Sequence, residues 1–136
     1  MLPDILKLIP QAPPFIMVGA LLASDGRVTQ TTFVISGENV LVDGGYFTEG
    51  GLVENMAQTA AAGEGYNALL NGEAPKGGYI VALKNVSITC LPKAGDTILT
   101  TVTFLRSVLN YNILEGRVLL HGELVASCEL TVLLNG

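Results

Sequence analysis

The sequence predicts an α+β fold in which one antiparallel sheet curls around a single long helix. Two observations carry that reading. Residues 51–70 run without a turn signal, rich in Ala and Gly on every side, and stop at Asn71-Gly72. From Tyr79 onward the chain is strand-like throughout, and strands in series pair antiparallel. A long apolar helix must then be covered by that sheet, and its small residues suit the centre of a structure, where other backbone comes close.

The elements follow in order. Asp4-Ile-Leu-Lys-Leu-Ile9 forms a helical turn or two, with Asp4 as N-cap after Pro3 and a stop at Pro10. Pro13-Pro14 forces extended backbone into a buried strand over Phe15–Ala23. Asp25-Gly26 is a hairpin signal, and the Thr-rich, β-branched run Val28–Ile35 returns as the next strand. Residues 36–51 read as a Gly/Asp/Asn-rich loop around the apolar patch Val40-Leu41-Val42. After the helix and a second loop over 73–77, Tyr79–Cys90 is a strand and residues 91–96 are a turn. In Thr97–Val108 alternation sends Ile98, Thr100, Val102 and Phe104 to one face and their neighbours to the other. Asn110–Leu120 and Glu123–Leu134 make a hairpin about His121-Gly122.

Composition narrows the function. At 136 residues, without repeats or low-complexity linkers, the chain fits one domain spanning 1–136. Only 14% of residues are charged and 49% are hydrophobic, and mean hydropathy is +0.50. That is apolar for a domain of this size, where ~25% charged is ordinary. No apolar run approaches the ~20 residues of a spanning helix, and the N-terminus lacks the basic start of a signal peptide. The surplus apolar surface is therefore expected between subunits or against an oily ligand, in a cytoplasmic homodimer or higher even oligomer. A net charge of −5 with scattered basic residues argues against nucleic-acid binding. Cys90 and Cys128 have no metal-ligand spacing and read as small core residues in a reducing compartment, and no metal or cofactor is expected.

Chemistry concentrates at the start of the helix, Glu49-Gly-Gly-Leu-Val-Glu-Asn-Met-Ala-Gln58. Glu54 reads as a first-turn carboxylate, beside the positive end of the macrodipole and several free amide donors. Such a set can hold a carbonyl and trade a proton with its neighbour. A first-turn carboxylate also stabilises a helix through its dipole alone, so a structural reading of Glu54 stands beside the catalytic one.

Three segments extend the comparison to a family. Ile9-Pro-Gln-Ala-Pro-Pro-Phe-Ile-Met-Val18 resembles the Pro-x-x-x-Pro-Phe-Leu-Leu-Val-Asp opening of the (3R)-hydroxyacyl-acyl carrier protein dehydratases. Gly50–Gln58 is similar to their Pro-Gly-x-Leu-x-x-Glu-Ala-x-Ala-Gln helix start, and Lys84–Asp96 to their strand and Pro-Gly-Asp turn, with Ala94 in place of that proline. The resemblance covers almost the whole chain and implies the hot-dog fold, a dimer with its active site in a tunnel between protomers. It further implies a histidine of one subunit as base and a helix carboxylate of the other as acid, with backbone amides polarising the thioester carbonyl. Glu54 matches the acid, Gly50 and Gly51 fall where the carbonyl donors belong, and Gln58 matches the family glutamine one turn on.

The chain departs from the family at the base. The loop before the helix holds no histidine; Tyr46, in Gly45-Tyr46-Phe47, stands where it belongs, and Asp43 is the other substitute. A phenol, with a reference pKa near ~10, is a poor base at neutral pH. Tyr46 reads equally as a packing residue, Asp43-Gly44-Gly45 as a turn, and Gln58 as a partner for a buried loop carbonyl. The only histidine, His121, reads as a turn residue. Three functions follow: dehydration of a 3-hydroxyacyl thioester on acyl carrier protein or CoA in fatty-acid or polyketide-type metabolism, hydrolysis of an acyl thioester, or non-catalytic acyl binding beside an active partner subunit. Docking an acidic carrier protein requires a basic patch, for which Lys84, Lys93, Arg106 and Arg117 are the candidates.

Overall fold

The structure, a computed structural model, describes residues 2–75 and 77–134. A 3-10 turn at Ile5–Lys7 is capped by the Asp4 side chain, which accepts from the Leu6 N–H. Strands β1 (Ala20–Ser24) and β2 (Val28–Val34) form a hairpin, and a small one follows from β3 (Val42–Asp43) and β4 (Tyr46–Phe47). Helix α1 (Glu49–Leu70) leads into β5 (Gly78–Ile88), β6 (Thr97–Val108), β7 (Tyr111–Leu120) and β8 (Glu123–Leu134). The main sheet has six strands in the order β1-β2-β6-β7-β8-β5, and every pair is antiparallel. α1 packs across its inner face, so the predicted sheet wrapped around one helix is the architecture found.

Alternation placed the later strands well. Ile98, Thr100 and Val102 of β6 are buried while their neighbours are not, and Val118 and Leu120 of β7 face inward beside them. A bulge between Phe104 and Arg106 ends the pattern. The β7–β8 turn puts His121 at φ 52° and Gly122 at φ 80°, the positive pair that a type I′ hairpin requires, so His121 is a turn residue.

Three expectations change. The first strand is shorter than Phe15–Ala23: it begins at Ala20, because the backbone at Phe15 and Met17 bonds to side chains of α1 instead of to a strand. Cys90 is exposed, just past the end of a sheet-edge strand, and only Cys128 is a core residue. Burial pushes the Cys128 thiol up to about 11, so it stays protonated and inert. The helix starts at Glu49 rather than Gly51, which moves Glu54 into the second turn and leaves Glu49 as the first-turn acid. Thr48 sets that start: its hydroxyl accepts from the Gly51 N–H at 3.1 Å, and its carbonyl takes the Leu52 N–H. Phe47 before the cap and Leu52 four positions after it are both fully buried in the main core, a hydrophobic staple that fixes the entry of the chain.

Small residues let α1 occupy the centre. A Cβ on Gly65 would drive into the Leu8 carbonyl, one on Gly63 into Thr29, and one on Gly51 would meet the Phe47 ring at 2.5 Å. One side of α1 thus packs on the sheet through Leu52, Met56 and Gly51, and another on Ile5, Leu8 and Val18 through Ala62. Between them a third face, Glu54-Ala57-Ala60/Ala61-Glu64, is only half-buried.

Candidate active site

That third face forms one wall of a groove of about 800 Å³. Opposite it stand Pro10 and Gln11 of the N-terminal segment, Ile80 of β5, and Asn112 and Leu114 of β7. Glu54 lies at one end of the groove and also lines a smaller cavity of about 390 Å³, walled by Phe15, Met17, Val40 and Leu41. The acid is half-buried, and it faces open space on both sides instead of bulk solvent alone.

A buried amide system holds it there. The Gln58 Nε2 donates to Glu54 Oε1 at 3.2 Å and to the Phe15 carbonyl at 2.8 Å, while Gln58 Oε1 accepts from the Met17 N–H at 2.7 Å. One helical turn earlier than Thr59, Asn55 Nδ2 donates to the Met17 carbonyl at 2.6 Å, and Asn55 Oδ1 accepts from the Thr100 hydroxyl. Thr59 then bonds the Asn55 carbonyl and shares a contact of 2.8 Å with Thr31. Asn55, Gln58 and Thr59 are each fully buried, so leaving any of these groups unpaired is costly. Gln58 therefore does satisfy a loop carbonyl, in a part-buried bond, and bonds the acid as well. Asn55 and Thr100 escaped the sequence reading: an amide beside a carboxylate looks like ordinary helix surface until the loop it pins is known.

The other candidates separate. Gly51 has its N–H engaged by Thr48, and its missing side chain makes room for Phe47; Gly50, exposed at the helix start, keeps its N–H outside the cap. Tyr46 and Asp43 face each other across the β3–β4 hairpin, are exposed, and line neither cavity of Glu54 in the same chain. His121 is on the surface, 3.8 Å from Asp96, and away from both cavities. Three of the four basic candidates share one sheet face, but with two acids among them. Cross-strand pairing puts Lys84, Arg106 and Arg117 on the outer sheet face among Glu115 and Glu129, and Arg106 is bonded to Glu129 at 3.3 Å. Lys93 sits apart, in the turn that bridges to Tyr46, whereas Lys7 lines the groove. Among the described residues no cluster of His, Cys, Asp and Glu could hold a metal ion, and no helix is long and apolar enough to cross a membrane.

A long helix seated in a curled six-stranded antiparallel sheet defines a hot-dog protein. The chain belongs to the ApeP-like family, described as ApeP dehydratase, whose profile it matches over residues 3–135. Among solved structures it is similar to the dehydratase heterocomplex ApeI:P from Xenorhabdus doucetiae, with a TM-score of 0.92 and 13% identity over 100% of this chain and 93% of that one. It is also similar to the PaaI protein of the phenylacetic acid degradation operon of E. coli, at TM-score 0.64 and 14% identity over 82% and 79% of the two chains. A hypothetical thioesterase with coenzyme A from Streptococcus pneumoniae follows at 0.68 and 11% identity, over 86% and 85%. At such identities these likenesses establish the fold alone. No protein of curated function matches the sequence.

Proposed function

We propose that the protein dehydrates 3-hydroxyacyl thioesters carried by acyl carrier protein or CoA, with Glu54 as the general acid. The observation that carries this reading is the placement of Glu54: half-buried, held by Gln58, and open to both cavities. In the reaction a base removes the proton beside the thioester, and the electrons of that C–H bond form the new double bond. The C3–O bond breaks as Glu54 delivers its proton, so the hydroxyl leaves as water and an enoyl thioester remains. Gly50, like Tyr46 and Asp43, lines neither cavity in its own chain; its backbone N–H at the helix N-terminus is the donor proposed for the thioester oxygen, where enolate charge develops.

The base comes from a second copy. Tyr46 and Asp43 line neither cavity of Glu54 in their own chain, which fits a site completed across an interface by the partner subunit's Asp43 or the partner subunit's Tyr46. The interface has an evident seat. β5 is a sheet edge of 11 residues with a single charged side chain, Lys84, and it exposes Tyr79, Val81, Leu83 and Val86. A long apolar edge of this kind calls for another strand. The family membership and the ApeI:P likeness support a paired assembly, either a homodimer or a heteromer with a related subunit.

Thioester hydrolysis and non-catalytic acyl binding are the other readings, and the absence of a histidine from the loop before α1 favours the non-catalytic one. Product analysis separates the three. Purified protein is incubated with 3-hydroxyacyl and plain acyl thioesters, and enoyl thioester and free thiol are measured. Enoyl product that disappears in Glu54→Gln supports dehydration; free thiol without it selects the thioesterase. Tight acyl binding with neither product identifies a non-catalytic partner subunit.

A further inference from the structure

Three successive carbonyls ahead of β1 go to side-chain amides instead of a strand. The Phe15 carbonyl accepts from Gln58 Nε2 at 2.8 Å, that of Ile16 from Asn39 Nδ2 at 3.4 Å, and that of Met17 from Asn55 Nδ2 at 2.6 Å. The Met17 N–H completes the set by donating to Gln58 Oε1 at 2.7 Å. Two side chains of α1 thus grip Met17 on both sides of its Cα, and Met17 is itself a core residue.

From β6 inward, the bonds run in one sense. The Thr100 hydroxyl donates to Asn55 Oδ1, so Asn55 turns its NH2 to the Met17 carbonyl. The Met17 N–H takes Gln58 Oε1, so Gln58 turns its NH2 to Glu54 Oε1. Thr100, Asn55 and Gln58 are fully buried, so water cannot stand in for a missing link, and donors aligned in one sense strengthen each other. The link at position 55 is this chain's own. The dehydratase helix start that Gly50–Gln58 resembles has alanine directly after the glutamate, and alanine can make neither bond.

We propose that Thr100 and Asn55 are positioning residues for Glu54, acting through Met17 and Gln58 to set which carboxyl oxygen is held and which carries the proton. Oε1 ends the chain as an acceptor, so the transferable proton sits on Oε2. The assignment rests on the dehydratase reading for the fate of that proton. As the C3–O bond breaks, the Oε2 proton joins the departing hydroxyl to give water, and Glu54 is left as a carboxylate. The Gln58 N–H already bonded to it then meets a full charge, which strengthens that bond as the reaction proceeds.

The test compares wild type, Thr100→Val, Thr100→Ser and Asn55→Ala by amide NMR and by kinetics with a 3-hydroxyacyl thioester, with melting temperatures to verify folding. Thr100→Val keeps the shape and removes the first donor. In it the Met17 N–H is expected to exchange with solvent about tenfold faster and the Gln58 side-chain amide signals to shift, while the core amides of β8 keep wild-type exchange. Its kcat should fall about tenfold with KM within about twofold, as a displaced acid implies. Thr100→Ser, which retains the hydroxyl, should restore both readouts, and Asn55→Ala should reproduce the kinetic split. Unchanged Met17 exchange and Gln58 signals in folded Thr100→Val would overturn the chain. Shifted signals with an unchanged kcat, or equal losses in Thr100→Val and Thr100→Ser, would overturn the positioning role. Absence of enoyl product from the wild type itself removes the dehydratase reading and the proton assignment with it, while the NMR comparison still decides whether the chain exists.

Discussion

Gln58 shows how much of this site hangs on single side chains. Its amide spans a backbone N–H, a backbone carbonyl and the carboxylate of Glu54, and it is fully buried. Replacing it by leucine keeps the volume and strands the Met17 N–H, so Gln58→Leu is expected to cost ~2 kcal/mol or more by denaturant titration and to lower turnover with it. Asp25 works through ionisation. Bonds from the Val28 and Arg27 N–H groups hold its carboxyl below the usual range, and it closes the β1–β2 turn. A folded-state pKa below the unfolded one means stabilisation that is present above the unfolded value and is lost as pH falls through the folded one. The melting temperature of Asp25→Ala should therefore lie below that of the wild type at neutral pH. The gap should narrow as the medium is acidified below the ordinary carboxylate range; a constant gap would contradict the ionised role. Glu54 stands out as a candidate from its motif, whereas the bonds of Asn55 and Thr100 were not legible, because their partners lie 38 and 45 residues away in sequence.

Among the elements, α1 is the one whose sequence is least like an ordinary surface helix. Alanine in place of a mid-helix glycine normally adds ~1 kcal/mol of helix propensity. At Gly65 the sign reverses, because the added methyl would collide with the backbone of Leu8. Gly65→Ala is expected to destabilise by roughly 1–3 kcal/mol, read from the denaturation midpoint; a stabilised variant would mean that the N-terminal segment does not pack there. The same contrast of local and distant forces explains which elements the sequence reveals. β6 and β8 were placed to the residue, Thr97–Val108 and Glu123–Leu134, since alternation and turn chemistry are local. The first strand was overextended because Phe15–Gly19 satisfies its backbone partly on helix amides, which no local pattern announces. The helix start was misplaced by the Gly50-Gly51 pair, which reads as loop, while the Thr48 cap beside it decides the outcome.

At the scale of the molecule, low charge and surplus apolar surface meet at a strand edge in β5, one of several places where large apolar side chains are exposed. If that edge carries the subunit contact, Leu83→Glu sets two like charges near each other at the interface and should convert the assembly to monomers in analytical ultracentrifugation; an unchanged sedimentation coefficient places the contact elsewhere. Loss of assembly should remove turnover too, since the base is proposed to come from the other copy. The most direct measurement is enoyl thioester formation by wild type and Glu54→Gln at matched concentration, with sedimentation confirming equal assembly. The expected result is a loss of about 10²-fold or more, the scale of a general acid. Turnover retained within a few-fold in a folded, assembled Glu54→Gln protein would contradict the assignment of Glu54.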